Sequence, residues 1–166
     1  MSTPAQTPNS DPRQLLRHTL ATLAYRAGKA LRGAPPEVAA FRASEKSRTP
    51  LEILAHMGDL FDWALSMAKG QQAWKNSTPL AWDAEVARFF ASLEAFDAYL
   101  RSGEPLHVPA EKLFQGPVAD ALTHTGQLTM LRRLAGAPVR GENYYAANIS
   151  SGRVGIDQPA PVVEFD

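Results

Sequence analysis

The sequence predicts an all-α protein, a four-helix bundle followed by a packed and mostly non-helical C-terminal tail. Two observations support this prediction. Apolar residues recur every three or four positions along four long stretches, as they do on one face of an α-helix. A glycine follows each of these stretches, at the place where a helix commonly stops. Four amphipathic helices of this length pack most simply as a bundle.

Length and charge narrow the class of protein. The 166 residues are enough for one domain with a sizeable core, and basic (Lys and Arg) and acidic residues number 17 each. Without a basic excess or run, we expect no nucleic-acid partner and no membrane-surface partner. No apolar run approaches the ~20 residues that cross a bilayer, and the N-terminus lacks the regions of a signal peptide. We therefore expect a cytoplasmic protein.

The chain has no cysteine. This excludes disulfides, thiolate metal ligands and a cysteine nucleophile, and it is compatible with a reducing cytosol. Residues 1–10 are mostly polar and contain no apolar anchor, so we expect a mobile N-terminus. Residues 11–166 are interpreted as a single domain whose tail spans residues 137–166.

The first helix has clear start and stop signals. Asp11 is a capping residue, Pro12 suits the first helical position, and Gln14 at the third position resembles a capping box. Gly33 ends the helix. His18 lies off the apolar stripe, so we expect it at the surface. The stripe consists of Leu16, Leu20, Leu23, Ala27 and Leu31.

The second and third helices are predicted in the same way. Thr49 and Glu52 form a capping box at the start of the second helix, which stops at Gly70. The third helix spans about 82–101 and ends at Gly103. Its buried face is expected to contain Val86, Phe89 or Phe90, Leu93, Phe96 and Leu100.

One histidine lies on the apolar face of the second helix. His56 occurs at helical spacing with apolar residues, namely Ile53, Leu60, Trp63, Ala64 and Met67. Taken alone, the spacing favours a core histidine that is hydrogen-bonded to a carbonyl group. Asp59 and Asp62 lie elsewhere on this helix, and we expect them to be solvated or in surface ion pairs.

The fourth helix is predicted from Pro117, in the first helical position, to a stop at Gly136. A short helix around 111–114 precedes it. The apolar stripe of the fourth helix consists of Leu128, Leu131, Leu134 and Ala135. Continued towards the N-terminus, that stripe runs through His124 and Asp120, which are four residues apart and share one helical face. Burying two polar side chains without partners costs a few kcal/mol or more each, so something must satisfy them.

The tail after Gly136 has no helical period. A short hairpin is predicted at 150–152, and the rest of the tail is expected to be extended. Several apolar side chains predict that the tail packs on the helices. They are Tyr144, Tyr145, Ile156, Val162, Val163 and Phe165.

Polar side chains on facing helices of a bundle commonly build metal sites in its core. We therefore predict that His56, Asp120 and His124 meet and bind a divalent cation, which could be zinc, iron, nickel or manganese. Three protein ligands leave a position for water or substrate. The alternative is a hydrogen bond between Asp120 and His124 within their helix, without a metal. Gln127 is either a hydrogen-bond partner of His124 or a cap for a neighbouring loop.

Three stretches resemble the DinB superfamily of small four-helix-bundle proteins, which includes bacterial thiol-dependent S-transferases. They are EILAHMGDLFDWAL in the second helix, PVADALTHTGQLTMLRRLAG in the fourth, and GAPVRGENYY after it. The resemblance covers about residues 15–140. It implies that His56 and His124 are metal ligands and that Asp120 stands where the family commonly has a third histidine. Two histidines and a carboxylate are also a ligand set of non-haem iron.

The resemblance implies a metal-dependent enzyme that transfers a low-molecular-weight thiol to a small-molecule substrate, or catalyses a related metal-assisted reaction. The metal would act as a Lewis acid, or lower the pKa of a bound water or thiol. Any thiol must come from a cosubstrate, because the chain has no cysteine. A homodimer is also implied. Tyr144 or Tyr145 either lines the mouth of the site or only packs. The alternative function is non-catalytic, a bundle that binds a small molecule or dimerises and whose metal site is degenerate or structural.

Overall fold

Four long helices make up most of the chain in the computed structural model, which describes residues 11–165. The helices are α1 (Pro12–Leu31), α2 (Pro36–Ala39), α3 (Pro50–Ala68), α4 (Trp82–Ser102), α5 (Ala110–Leu113) and α6 (Ala119–Leu134), with a π-helical segment (Phe114–Val118) between α5 and α6. The all-α prediction is confirmed. The predicted mobile N-terminus, residues 1–10, lies outside the described part. Each helix from residue 11 to residue 165 is too short or too polar to cross a bilayer.

Each long helix packs against two others. Helix α3 contacts α4 and α6, and α1 likewise contacts α4 and α6. The core between them is built from the apolar stripes that the sequence predicts on the first three helices, because those side chains gain most by leaving water. Its largest fully buried side chains include Leu20, Leu23, Leu54, Met57, Phe61, Phe89, Leu93 and Phe96.

The helix starts follow from local hydrogen bonds. At α3 the capping box is present, since the Glu52 backbone N–H donates to Thr49 Oγ1 (3.2 Å) and the Thr49 backbone N–H donates to Glu52 Oε2 (2.7 Å). The second of these bonds holds the pKa of Glu52 below its usual value. At α1 the Asp11 carboxylate caps the helix by accepting from the Arg13 backbone N–H. The capping box predicted with Gln14 is absent there, because Asp11 bonds to the second helical residue instead of the third.

The prediction that the fourth helix starts at Pro117 is wrong. The chain is helical from Ala110 to Leu134, and Pro117 lies inside the π-helical segment that joins α5 to α6. Proline has no N–H to donate and its ring clashes with the carbonyl one turn earlier, so it normally ends or kinks an α-helix. The wider π turn accommodates it. The predicted stop is confirmed, since Gly136 has a positive φ of 79° just after α6.

The tail is attached to α1 by a buried charged group. Two short strands, β1 (Gly141–Glu142) and β2 (Glu164–Phe165), pair antiparallel. Glu142 is buried and accepts hydrogen bonds from Tyr25 Oη (2.5 Å) and Lys29 Nζ (2.7 Å), and Lys29 also donates to Glu164 (2.6 Å). Burial and the bond to Glu142 raise the pKa of Tyr25. The packed tail is therefore present.

The predicted anchors of the tail are mostly wrong. The side chains of Ile156, Val162, Val163 and Phe165 are substantially exposed, and Tyr145 is 99% exposed. Val154 and Glu142 are buried instead. The predicted hairpin at 150–152 is only a turn, closed by a bond from the Arg153 backbone N–H to the Ser150 carbonyl, and the two strands pair elsewhere. Apolar composition without a period does not tell which side of an extended segment faces the core.

The expectation for the two aspartates of α3 is half right. Asp62 forms a surface ion pair with Arg88 (3.3 Å), whereas Asp59 is only 5% exposed. The guanidinium of Arg88 lies between the two helices α3 and α4, where it bonds to Asp59 (3.1 Å), to the fully buried Glu85 (2.5 Å) and to the Ala55 carbonyl (2.6 Å). A half-buried arginine supplied by α4 is the reason that Asp59 can leave water.

Candidate metal centre

The packing of α3 against α6 brings together the three residues that the sequence predicts as metal ligands. His56 comes from α3, and Asp120 and His124 come from the first turns of α6. The imidazole nitrogens and carboxylate oxygens that they offer all lie within 4.8 Å of one another. Because 64 positions separate His56 from Asp120, only the tertiary fold makes them neighbours. This group could hold a metal ion.

The contacts of Asp120 with the two rings are longer than strong hydrogen bonds. Asp120 contacts both rings, 3.3 Å from His56 Nε2 through Oδ2 and 3.4 Å from His124 Nε2 through Oδ1, and the two rings contact each other edge to face with centroids 5.0 Å apart. Charge-assisted N–H···O bonds are shorter, about 2.7–2.9 Å. Ligand atoms about 2.0–2.2 Å from one tetrahedral ion are about 3.3–3.6 Å apart. Two imidazoles and a carboxylate have the chemistry of a ligand set for a divalent cation, and at these distances the group could hold one.

Gln127 fixes the orientation of the His124 ring. Its side-chain oxygen, Oε1, lies 2.7 Å from His124 Nδ1. An amide oxygen can only accept, so Nδ1 carries the hydrogen and Nε2 is left facing Asp120. Metal-binding histidines are commonly held in this way, with the second ring nitrogen donating to an oxygen. Of the two roles predicted for Gln127, the structure has the bond to His124.

The group is reachable from solvent on one side. The His124 side chain is 12% exposed, His56 21% and Asp120 45%. Trp74 contacts the edge of His56, with ring centroids 5.7 Å apart, and it also packs against Trp63 at 5.5 Å. In the sequence, Trp74 lies in a mostly polar stretch, residues 71–81, between the second and third predicted helices. A large aromatic residue isolated in such a loop was the one available signal that this loop packs on something.

An apolar pocket adjoins the candidate centre on the His124 side. It has a volume of about 520 Å³, within the range of small-molecule sites. Its wall contains His124 and Gln127, with Ser47 and Arg48 at one side, and is otherwise apolar, chiefly Ile53, Met130, Leu131 and Leu134. Leu134, predicted as a core residue, is 57% exposed because it borders this pocket and not the core. The residues thus combine a polar ligand group with an apolar cavity next to it.

The tyrosines proposed for the mouth of the site are elsewhere. Tyr144 packs edge-on against Tyr25 and lies under the guanidinium of Arg26, whereas Tyr145 is almost fully exposed. The interpretation that either of them lines the site is therefore wrong. The tail packs on α1 and not on the junction of α3 with α6. His18 is exposed on α1, as expected, and takes no part in the group.

The geometry of the chain defines an all-α protein with a His–Asp–His group that could hold a metal ion. No protein-family model, no curated protein and no solved structure matches the chain. The functional argument accordingly rests on the residues of the site.

Proposed function

We propose that the protein is a divalent-metal-dependent enzyme with a DinB-like four-helix bundle, which acts on a small molecule and transfers a low-molecular-weight thiol to it. The observation that carries the proposal is the convergence of His56, Asp120 and His124 from two helices, with their ligand atoms within 4.8 Å of one another. The mutual packing of α1, α4, α3 and α6 supports the bundle.

The roles of the residues follow from their positions. His56, Asp120 and His124 would hold the ion, which could be zinc, iron, nickel or manganese, and Gln127 orients the His124 ring. When bound, such an ion supplies a Lewis acid that lowers the pKa of a thiol or a water molecule. The apolar pocket beside His124 would accept the apolar part of the substrate and exclude water from it.

The proposed transfer is a displacement. The sulfur of the thiol cosubstrate forms a bond to an electrophilic carbon of the acceptor, and the leaving group departs with the electron pair of its bond to that carbon. The thiol proton passes to solvent. The cosubstrate must provide the sulfur, because the chain contains no cysteine.

A second candidate function is non-catalytic binding of a small molecule. The observation that favours it is that Asp120 lies within hydrogen-bonding distance of His56, so the group can also be satisfied as a structural cluster. In that case the apolar pocket beside it binds a ligand without turnover. A cytoplasmic homodimer is part of both proposals, and the mass of the protein in solution tests the dimer.

Metal binding is the first test. Protein stripped with a chelator is equilibrated with Zn²⁺, Ni²⁺, Fe²⁺ or Mn²⁺ in turn, and bound metal and the unfolding temperature are measured. We expect one ion per chain. An ion present at 100 times its Kd stabilises the protein by about 2.7 kcal/mol, which raises the Tm of a chain of this size by roughly 5–11 °C.

The matched variants are His124→Ala and His18→Ala, which remove one imidazole inside and one outside the group. The first is expected to lose the bound ion and the stabilisation, and the second to keep both. If His124→Ala holds as much metal as the wild type, the metal proposal is wrong. Turnover of a thiol with an activated haloarene then separates the two functions, since metal bound without turnover supports the binding role.

A further inference from the structure

A second pocket, distinct from the candidate metal centre, lies between α1, α6 and the tail. Its volume is about 520 Å³. Arginines from three parts of the chain line it, namely Arg26 of α1, Arg133 of α6 and Arg140 of the tail. Apolar side chains, chiefly Leu122, Met130, Val139 and Phe165, share its wall with polar ones that include Thr125 and Thr129. The pocket therefore combines cationic groups with an apolar surface.

This pocket and the candidate metal centre lie mainly on opposite faces of α6, although Met130 borders both this pocket and the one beside His124. Gly126 lines this pocket and lies two positions after His124, which lies on the other face. Thr129 likewise lines this pocket and lies two positions after Gln127. Two positions on an α-helix are about 200° apart. A ligand bound in this pocket would not touch the His–Asp–His group, so the two sites can be tested separately.

The charge in the pocket is positive. Glu142 is the only carboxylate in its wall, as far as residues 11–165 are concerned. That carboxylate is already bonded to Lys29 and to the Tyr25 hydroxyl. Among the described residues, Glu164 likewise bonds to Lys29, so the surplus positive charge of the pocket comes from Arg26 and Arg133.

Two of the arginines are available to a ligand. Within the described chain, neither Arg26 nor Arg133 has a carboxylate within ion-pair distance. The Arg26 guanidinium lies 4.3 Å from the centroid of the Tyr144 ring, a cation–π contact that holds its plane in place without neutralising its charge. A planar guanidinium donates two parallel hydrogen bonds to a carboxylate or a phosphate.

We propose that this pocket binds a small organic anion, with its phosphate or carboxylate group between Arg26 and Arg133 and its apolar body against Leu122 and Val139. The volume suits a ligand of that kind. The charged group supplies orientation, and the apolar wall supplies contact area. This ligand is independent of the substrate proposed for the metal centre.

Calorimetric titration with three probes that share a phenyl ring tests the proposal. The probes are phenyl phosphate, benzoate and the uncharged phenol, added to the whole protein at physiological salt. We expect Kd values below about 1 mM for at least one of the anions and no measurable binding of phenol. The anion that binds more tightly identifies the preferred head group.

The variants are Arg133→Gln and, as a matched control, Arg153→Gln, an exposed arginine of the tail outside this pocket. Loss of the charged donor pair is expected to weaken binding of the anion by about tenfold or more in Arg133→Gln and to leave Arg153→Gln unchanged. Both side chains are exposed, so both variants should keep the wild-type Tm. The proposal is overturned if neither anion binds, if phenol binds equally well, or if Arg133→Gln binds like the wild type.

Discussion

Helix α3 takes part in two polar clusters, which differ in how completely their polar atoms are hydrogen-bonded within the cluster. In the cluster with α4, the Arg88 guanidinium bonds to Glu85, Asp59 and the Ala55 carbonyl at 2.5–3.1 Å. In the cluster with α6, the contacts of Asp120 with the two histidines are 3.3 and 3.4 Å. The first cluster has opposite charges in short contact. In the second, a carboxylate lies beside two imidazoles at longer distances.

This difference separates a structural cluster from a candidate functional one. Asp59 and Glu85 also accept from the backbone N–H groups of Ser77 and Leu80, so the α4 cluster is closed and mostly buried. Both carboxylate oxygens of Asp59 and of Glu85 already accept a hydrogen bond. The α6 cluster is open to solvent at Asp120 and is composed of metal-ligating groups. We infer that the first stabilises the fold and that the second is available for chemistry.

The largest expected effect is on stability, from Arg88→Met. The substitution leaves Glu85, which is fully buried, and Asp59 without their cation. Breaking a buried pair in this way costs about 3–5 kcal/mol, which for a chain of this size lowers the Tm by roughly 6–20 °C. Thermal unfolding measures it, with Arg101→Met at the exposed end of α4 as the control.

Metal content of the folded Arg88→Met protein should equal that of the wild type, because the two clusters share no side chain. The comparison fails if Arg88→Met is as stable as Arg101→Met, or if it loses the ability to bind metal while still folded.

An intermediate effect is expected on metal affinity, from Gln127→Leu. The change removes the oxygen that accepts from His124 Nδ1 and orients the ring. Loss of such a partner commonly weakens metal binding about 10- to 100-fold. Because Gln127 is exposed, the free energy of unfolding without metal should change by less than about 0.5 kcal/mol.

Competition with a chelator measures the affinity of the Gln127→Leu protein, and Gln14→Leu on the exposed face of α1 is the control. Equal affinity in the two variants would show that Gln127 does not position His124. A large loss of stability without metal would assign Gln127 a structural role instead.

The smallest expected effect is on stability, from Glu52→Gln at the start of α3. Helix α3 contributes residues to both clusters. Glu52 accepts from the Thr49 backbone N–H, and this bond holds its pKa below the usual value. A negative charge in the first turn of a helix stabilises it by roughly 0.3–1 kcal/mol. We therefore expect Glu52→Gln to lower the free energy of unfolding by about that amount at pH 7.

The sign of the pH dependence follows from the lowered pKa. The stabilisation by ionised Glu52 is present above its unfolded pKa of about 4.3 and disappears as the pH falls through the lowered value in the folded protein. Urea unfolding of wild type and Glu52→Gln should thus differ at pH 7 and converge in acid. Glu45→Gln, at an exposed residue, should match the wild type throughout, and a difference that grows in acid would contradict the assignment.

Much of the helical architecture could be predicted from the chain. The stripes of the first three helices are buried as expected, and the capping box of Thr49 and Glu52 is present. These features depend on residues within a few positions of one another, whose spacing and hydrogen bonds are local. The same reasoning was wrong at Pro117, where the chain uses a π turn instead of a new helix start, and in the tail, where no period marks the buried side.

The candidate site was predictable in its members but not in its surroundings. His56, Asp120 and His124 interrupt apolar stripes, which makes them visible in the sequence. The contact of Trp74 with His56 depends on how the loop before α4 packs. The pocket beside His124 depends on how α6 packs against α3 and the loop before α3. Neither feature is determined by residues that are close in the sequence. The buried position of Asp59 also required knowledge of Arg88, which is 29 residues away.

The sequence by itself determined four long helices, where three of them start and stop, and which polar residues share their apolar faces. Only the tertiary structure decided which of those polar groups are fully hydrogen-bonded to one another and which remain accessible to solvent. The reason is that a helix fixes neighbours three and four residues apart through its own backbone, whereas the partners of a charge across an interface depend on the packing of whole helices.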